Sequence, residues 1–285
     1  MNRNRIAIIT PVKNESIFIK DTIDSVINQN LLPIEWIIVD DNSEDNTFEI
    51  INNKIKNYNW IKAIKFFGNE STRSGGSKVV RAFKYGYGQL KNEYDYVMKL
   101  DGDLILPSNY LERMIEEFNN FSNLGICGGQ ILNKFSETDF RLEKVSDFHV
   151  RGALKMFRKN CWDQIGGFKE VWNWDGLDVM EAQFKGWETR SINVPVIHLR
   201  PTTSAYDPVE HAYKSGYEAY KMGSNFTLTI IRSIFKIKKK PYLKCGYFYL
   251  KGYINAWNKK ETLIVSKELA EFINKKHSQR IFKLN

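Results

Sequence analysis

The chain has 285 residues, 42% of them hydrophobic and 26% charged, with a formal net charge of +9. That is enough to bury one large core, or one core and a smaller appendage, and it excludes a fibrous, disordered or disulfide-stapled chain. The charge is lopsided: residues 211–285 hold 16 Lys and Arg against 4 Asp and Glu, whereas residues 1–210 hold 26 against 29.

In chain order, Ile6–Thr10 reads as a buried strand, too short and too soon followed by Pro11 and Lys13 for a signal-peptide core. Ile17–Gln29 reads as a helix with Ile19, Ile23, Val26 and Ile27 on one face. Ile34–Asp40 is a second strand, and Ser43 to about Ile55 a helix with an acidic first turn. Trp60–Phe67 is a third strand, after which Gly75 and Gly76 introduce a helix to about Leu90. Tyr94–Leu100 is a fourth strand, and Ser108 caps a helix through Phe121. Further on, Leu124–Leu132 and Val150–Phe157 look like strands, Lys159–Ile165 like a short helix, and Gly166-Gly167-Phe168 like a turn. A loop with Trp172 and Trp174 leads into a helix to about Lys185, and Thr189–His198 is the last strand. This rhythm predicts an α/β fold, a mostly parallel sheet with helices on both faces.

From Asp207 the character changes to consecutive helices rich in Tyr, Phe, Ile and Lys, so residues 1–206 and 207–285 are expected to form a body and a helical extension. No segment there has the roughly 18 uncharged residues of a spanning helix. The stretch Arg232–Lys244 interleaves six cations with Ile234, Phe235 and Ile237, the pattern of an interfacial segment on an anionic membrane. The body is slightly acidic and carries no nucleic-acid motif, so no nucleic-acid partner is expected. Cys127, Cys161 and Cys245 are widely spaced and odd in number, which points to a reducing, cytoplasmic compartment.

Parallel sheets bind ligands at the carboxyl ends of their strands. Those ends carry Pro11-Val12-Lys13-Asn14-Glu15, Asp40-Asp41-Asn42-Ser43, and Asp101-Gly102-Asp103. The last pair alone fits a turn. Together with the other two clusters, it fits hard oxygen ligands for Mg²⁺ or Mn²⁺ beside a nucleoside diphosphate.

These motifs, with Gly166-Gly167-Phe168, Trp174-Asp175-Gly176-Leu177-Asp178 and the run Val196-Ile197-His198-Leu199-Arg200-Pro201-Thr202, resemble the family 2 glycosyltransferases over about residues 5–205. They look most like the bacterial and archaeal branch that makes surface polysaccharides. The resemblance implies a GT-A fold and an inverting, metal-dependent sugar transfer from a nucleoside diphosphate sugar. The acceptor it implies is a saccharide or lipid-linked saccharide, presented at the cytoplasmic face of the membrane.

Carried over, Pro11, Lys13, Glu15, Val39 and Asp41 line the nucleoside pocket, and Gly76 and Arg81 meet the donor, with Arg73 and Lys78 as further cations. Asp103 is the principal metal ligand, with Asp101 on ribose or metal and His198 a third contact. Asp178 is the expected catalytic base, held ionised by a helix N-terminus, with Asp175 and Glu181 as rivals. Trp172 and Trp174 are candidates to stack on the acceptor sugar or to pack under the loop. Two alternatives stay open: a nucleotidyltransferase, which needs a Gly-rich basic loop after the first strand, and a non-catalytic nucleotide-sugar-binding protein.

Overall fold

Strand β1 (Ile6–Val12) is buried along its whole length, and its side chains alternate between two cores. Ile6 and Ile8 enter one apolar cluster, Ala7 and Ile9 the other. A strand covered on both faces needs no polar side, which is why this one reads as an unbroken apolar run. Strands β2 (Glu35–Asp40) and β4 (Tyr96–Leu100) flank it in parallel, and β3 (Ile61–Lys65) lies beyond β2. A computed structural model describes residues 4–68, 76–143, 146–200, 207–238 and 240–282. Arg73, Gly75, Pro201 and Thr202 lie outside the described residues.

Helices α1 (Ile19–Ile27), α2 (Thr47–Ile55) and α4 (Tyr110–Asn120) pack on the first face. Helices α3 (Ser77–Tyr87), α5 (Lys159–Ile165) and α6 (Trp174–Phe184) pack on the second. The sheet continues from β4 through β8 (Leu154–Arg158), β6 (Leu124–Lys134) and β9 (Glu188–His198) to β5 (Leu104–Ile105), with β7 (Phe140–Leu142) beside β6. Strand β8 runs antiparallel to both neighbours, because the chain turns back after β7 instead of crossing over through a helix. Strand β9 then pairs parallel with β6 and antiparallel with β5.

Two predicted helices start later than their apolar pattern suggests. Residues 15–18 form a turn in which Phe18 and Ile19 donate to the Glu15 carbonyl, so α1 begins at Ile19. Residues 43–46 bind the loop after β1: Ser43 Oγ accepts from Asn14 N at 2.9 Å, and Asn14 Oδ1 accepts from Glu44 N at 2.9 Å. Asn14 and Asn42 both sit at positive φ, 54° and 53°, which Asn tolerates better than most residues. The two loops that carry the candidate nucleoside pocket are thereby fixed to each other.

The chain divides into two compact units, Met1–Thr202 and Thr203–Asn285. The second holds α7 (Pro208–Lys221), α8 (Phe226–Ile237), α9 (Lys244–Asn258) and α10 (Lys267–Phe282). Asp207 caps α7 by accepting from Val209 N and Glu210 N. Ala212, Ala219, Cys245, Tyr249 and Tyr253 form its core. Among the described residues no helix is long and apolar enough to cross a membrane.

Helices α7 and α9 meet backbone to backbone. A Cβ on Gly216 would stand 1.8 Å from the Tyr249 carbonyl oxygen, and one on Gly252 would stand 2.1 Å from that of Tyr213. Gly216→Ala and Gly252→Ala should therefore each destabilise the C-terminal unit by about 1–3 kcal/mol through forced separation of the helices. Gly88→Ala, whose Cβ would meet only ordinary contacts at 3.6 Å, should leave stability nearly unchanged. Urea unfolding of the full chain followed by circular dichroism checks both.

Candidate active site

Pairing of β5 with β9 sets Leu104 opposite His198, which brings the imidazole to the preceding residue, Asp103. His198 Nε2 lies 3.2 Å from Asp103 Oδ2. Arg200, two residues further on, donates to the same oxygen through Nε at 3.1 Å and Nη2 at 2.7 Å. Its Nη2 also pairs with Glu15 Oε1 from the loop after β1. Burial alone would raise the Asp103 pKa, but His198 and Arg200 outweigh it and hold the carboxyl below its ordinary range. Asp103, His198 and Glu15 were legible as candidates in the sequence; Arg200 received no role there. Its one signal is the i+2 spacing from His198, which repeats the side of an extended strand.

Asp101 is a third exposed and takes a different partner. Its carboxylate pairs with Lys99 Nζ, and its N–H donates to the Ala153 carbonyl at 2.8 Å. Burial raises its pKa, with Lys99 opposing. Lys99 stands directly across from Lys155 in the β4–β8 register, and both lysines are buried. Two ammonium groups side by side in a core demand counter-charges and a polarisable neighbour. Asp101 answers the first and Asp178 the second. The Trp174 ring lies near both, with its centroid 5.3 Å from Lys99 Nζ and 5.7 Å from Lys155 Nζ.

The Lys155–Asp178 pair is closed to solvent, the side chains being 0% and 1% exposed. Lys155 Nζ donates to both Asp178 oxygens at 2.7 and 2.8 Å, and to the Asp175 carbonyl at 2.8 Å. Burial pushes the Asp178 pKa up to about 7 against the pull of Lys155. Helix α6 begins at Trp174, so Asp178 lies more than a turn inside it and Asp175 occupies the first turn. The expected effect of a helix N-terminus on Asp178 is thus available to Asp175 instead. Asp175 is half-buried and lies against Gly152, where a Cβ would come within 2.9 Å of its own Cβ. Ala153, next in sequence, carries the carbonyl that binds Asp101 N. Asp175 and Asp101 therefore flank one short segment of chain. Glu181, a turn beyond Asp178, lies 4.0 Å from Lys169.

The remaining candidates fall into two groups. Asp41 is bound through its N–H to the Val12 carbonyl; burial raises its pKa, with Lys13, Lys78 and Arg81 opposing. These four cluster where the sequence expects the donor. Val39 and Pro11 are buried, and Val39 points its methyl at Gly86 of α3, which a Cβ there would strike at 2.5 Å. Val39 is therefore a wall residue whose side chain faces the core. Gly76 sits at φ 86°, and a Cβ on it would approach Trp172 Cα within 2.9 Å, so it seats the Trp loop on the start of α3. Of the two candidate stacking residues, Trp174 is buried against Phe168, ring centroids 4.6 Å apart, and it packs under the loop.

Among the described residues no three His, Cys, Asp or Glu side chains stand together as a self-sufficient metal site. Asp103 and His198 offer one carboxylate and one imidazole, and the three bonds to Asp103 all fall on Oδ2. A hard divalent ion commonly takes one or two protein ligands and fills its other positions with phosphate and water. The residues fit an ion of that kind only when a phosphorylated ligand completes the set. The Lys99 contact to Asp101 falls on Oδ1 alone.

A family model described as glycosyl transferase family 2 matches residues 7–177. The chain is 33% identical over 216 residues to a poly-beta-1,6-N-acetyl-D-glucosamine synthase from Staphylococcus epidermidis, covering 71% of this chain and 48% of that protein. It is 27% identical over 175 residues to a chondroitin synthase from Pasteurella multocida, covering 58% of this chain and 17% of the synthase. The chain thus spans about half the length, or less, of these curated relatives. In fold it is similar to a mannosyltransferase from Pyrobaculum calidifontis in complex with GDP-Man and Mn²⁺, with a TM-score of 0.57 at 15% identity, covering 99% of this chain and 82% of that one. It is also similar to residues 1–349 of TarS from S. aureus in complex with UDP-GlcNAc, with a TM-score of 0.55 at 16% identity, covering 93% and 77%. Both comparisons place the body among the GT-A folds.

The buried pair yields a pH test. Lys155→Met leaves Asp178 in the core without its counter-charge, and loss of one partner of such a pair costs about 3–5 kcal/mol. A carboxyl raised in the folded state loses stability as pH climbs from its unfolded value to its folded one. In the wild type that loss ends near pH 7. In the variant, Asp178 lies higher still, so the loss continues into alkaline pH. Thermal melts should show the gap between the two proteins widening from pH 6.5 to pH 8.5.

Proposed function

The chain belongs to glycosyl transferase family 2, and on that premise we propose that it moves a sugar from a nucleoside diphosphate sugar to a saccharide or lipid-linked acceptor, inverting the anomeric carbon. It is a glycosyltransferase related to polysaccharide synthases. The finer reading rests above all on one observation: Asp103, His198 and Arg200 meet at the sheet edge. Segments bearing Asp101 and Asp175 adjoin there.

In this reading Asp41 accepts a hydrogen bond from the base, while Lys13, Glu15 and Pro11 shape the loop around the nucleoside. Lys78 and Arg81 face the diphosphate. Asp103 and His198 would hold Mg²⁺ or Mn²⁺, which would supply positive charge opposite the departing diphosphate. Arg200 keeps Asp103 ionised and in place. The acceptor hydroxyl attacks the anomeric carbon from the face opposite the phosphate. Its oxygen forms the new bond as the bond to the diphosphate breaks, and its proton passes to a carboxylate.

Asp175 is the better placed of the two candidate bases. It is half-buried at the helix start, whereas Asp178 spends both oxygens on Lys155 inside the core. Asp178 then acts as the anchor of the turn that carries Asp175, through the lysine they share. The surplus of 16 cations over 4 acids in residues 211–285 supports work at an anionic membrane surface, on the cytoplasmic face, where a lipid-linked acceptor is presented.

A panel of nucleotide sugars and saccharide acceptors with Mn²⁺ should release nucleoside diphosphate; pyrophosphate release would point to a nucleotidyltransferase, and neither to a binding protein. Asp103→Asn should lower turnover by at least about 10²-fold. Asp175→Asn should lower kcat by about 10²–10⁴-fold with little change in donor KM. Wild-type kcat in Asp175→Asn would return the base to Asp178.

A further inference from the structure

We propose that the outward face of α8, continued by the turn into α9, is the surface that lies in an anionic lipid leaflet, an inference that rests on the proposed membrane placement of the C-terminal unit. A surface helix ordinarily turns its charges to water and its apolar residues inward. Helix α8 buries Leu228 but otherwise departs from that arrangement. Its two charged residues, Arg232 and Lys236, lie over the ring of buried Tyr249, 5.8 and 5.0 Å from the centroid. The other side presents Phe226, Ile230 and Ile234 at successive four-residue steps, with Phe235 beside them, and all four are exposed. The sequence pattern of Arg232–Lys244 interleaves cations with apolar residues; within α8 the apolar ones face outward.

The apolar face continues at both ends. The Phe226 ring lies 5.6 Å from that of exposed Trp257, tilted against it. Past the other end, Tyr242, Leu243 and Tyr247 are exposed in the turn and the first turn of α9. Leu243 stands out: it is 66% exposed, yet it holds φ at 66°, a region costly for leucine, with its N–H on the Ile237 carbonyl at 3.1 Å. The backbone strain presents a large apolar side chain to solvent. Lys238, Lys240 and Lys244 are exposed around it.

Aliphatic and phenyl side chains bordered by Trp and Tyr and flanked by lysines match the boundary between headgroups and acyl chains of an anionic leaflet. At 12 residues α8 is about 18 Å long, which suits a helix in the plane of the interface and not one that spans it. A second copy is a poorer occupant, since each copy brings the same excess of cations to the contact.

The test is co-flotation of the full chain with phosphatidylcholine vesicles and with vesicles containing phosphatidylglycerol. The wild type should float with the anionic vesicles and lose binding in high salt. The triple variant Ile234→Ser, Phe235→Ser, Leu243→Ser should bind at least about tenfold more weakly while keeping its melting temperature and its turnover of a soluble acceptor. The double variant Phe226→Ser, Ile230→Ser makes the same test independently if the triple does not fold. Flotation of both variants like wild type would overturn the proposed face and leave the membrane placement standing. A wild type that ignores anionic vesicles would overturn both. Sedimentation of the wild type as a dimer that the triple variant dissolves would give the face to a second copy, and overturn the proposal as well.

Discussion

One guanidinium organises the candidate site. Arg200 stands between Glu15 and Asp103, two buried carboxylates from the loop after β1 and the turn after β4. Either acid alone would be costly to bury as an anion. Shared with Arg200 and His198, both are held at the edge of the sheet, and the end of β9 is tied to segments almost a hundred or more residues away. The second constraint lies deeper, where Lys99 and Lys155 face each other across β4 and β8 and each takes its own carboxylate. Each of these buried charges therefore has an opposite charge beside it.

Such pairs are weak arguments for stability. A buried ion pair replaced by well-packed apolar residues is often no less stable. Their value here is positional. Lys155 binds the Asp178 carboxylate and the Asp175 carbonyl at once, which fixes the first turns of α6 against the start of β8. Gly152 leaves the room that Trp174 and Asp175 need there. The proposed base is thus carried on a turn whose placement depends on a buried lysine, and its neighbour Asp101 depends on the lysine opposite.

Much of this edge was legible before any coordinates. Strand periodicity placed Asp41, Asp101, Asp103 and His198 at strand ends, and strand ends converge in a doubly covered sheet. What stayed hidden depended on register or on helix phase. Lys99 and Lys155 are 56 positions apart, and only the antiparallel β4–β8 pairing makes them neighbours. Val39 lies near the end of β2, where alternation turns its side chain toward α3. Asp175 and Asp178 exchange exposure with a shift of less than one turn in where α6 begins. The composition of α8 cannot say which face a neighbouring helix covers; Tyr249 takes the cationic one.

The central claim is that the cleft at Asp103 accepts a nucleoside diphosphate together with a divalent ion. Isothermal titration of UDP, GDP and dTDP into the full chain, with Mn²⁺ and then with EDTA, tests it most directly. At least one nucleotide should bind with Mn²⁺ and lose at least about tenfold in affinity without it, and the ion dependence should vanish in Asp103→Asn. Equal affinity with and without the ion, or an unchanged ion dependence in the variant, would contradict the account.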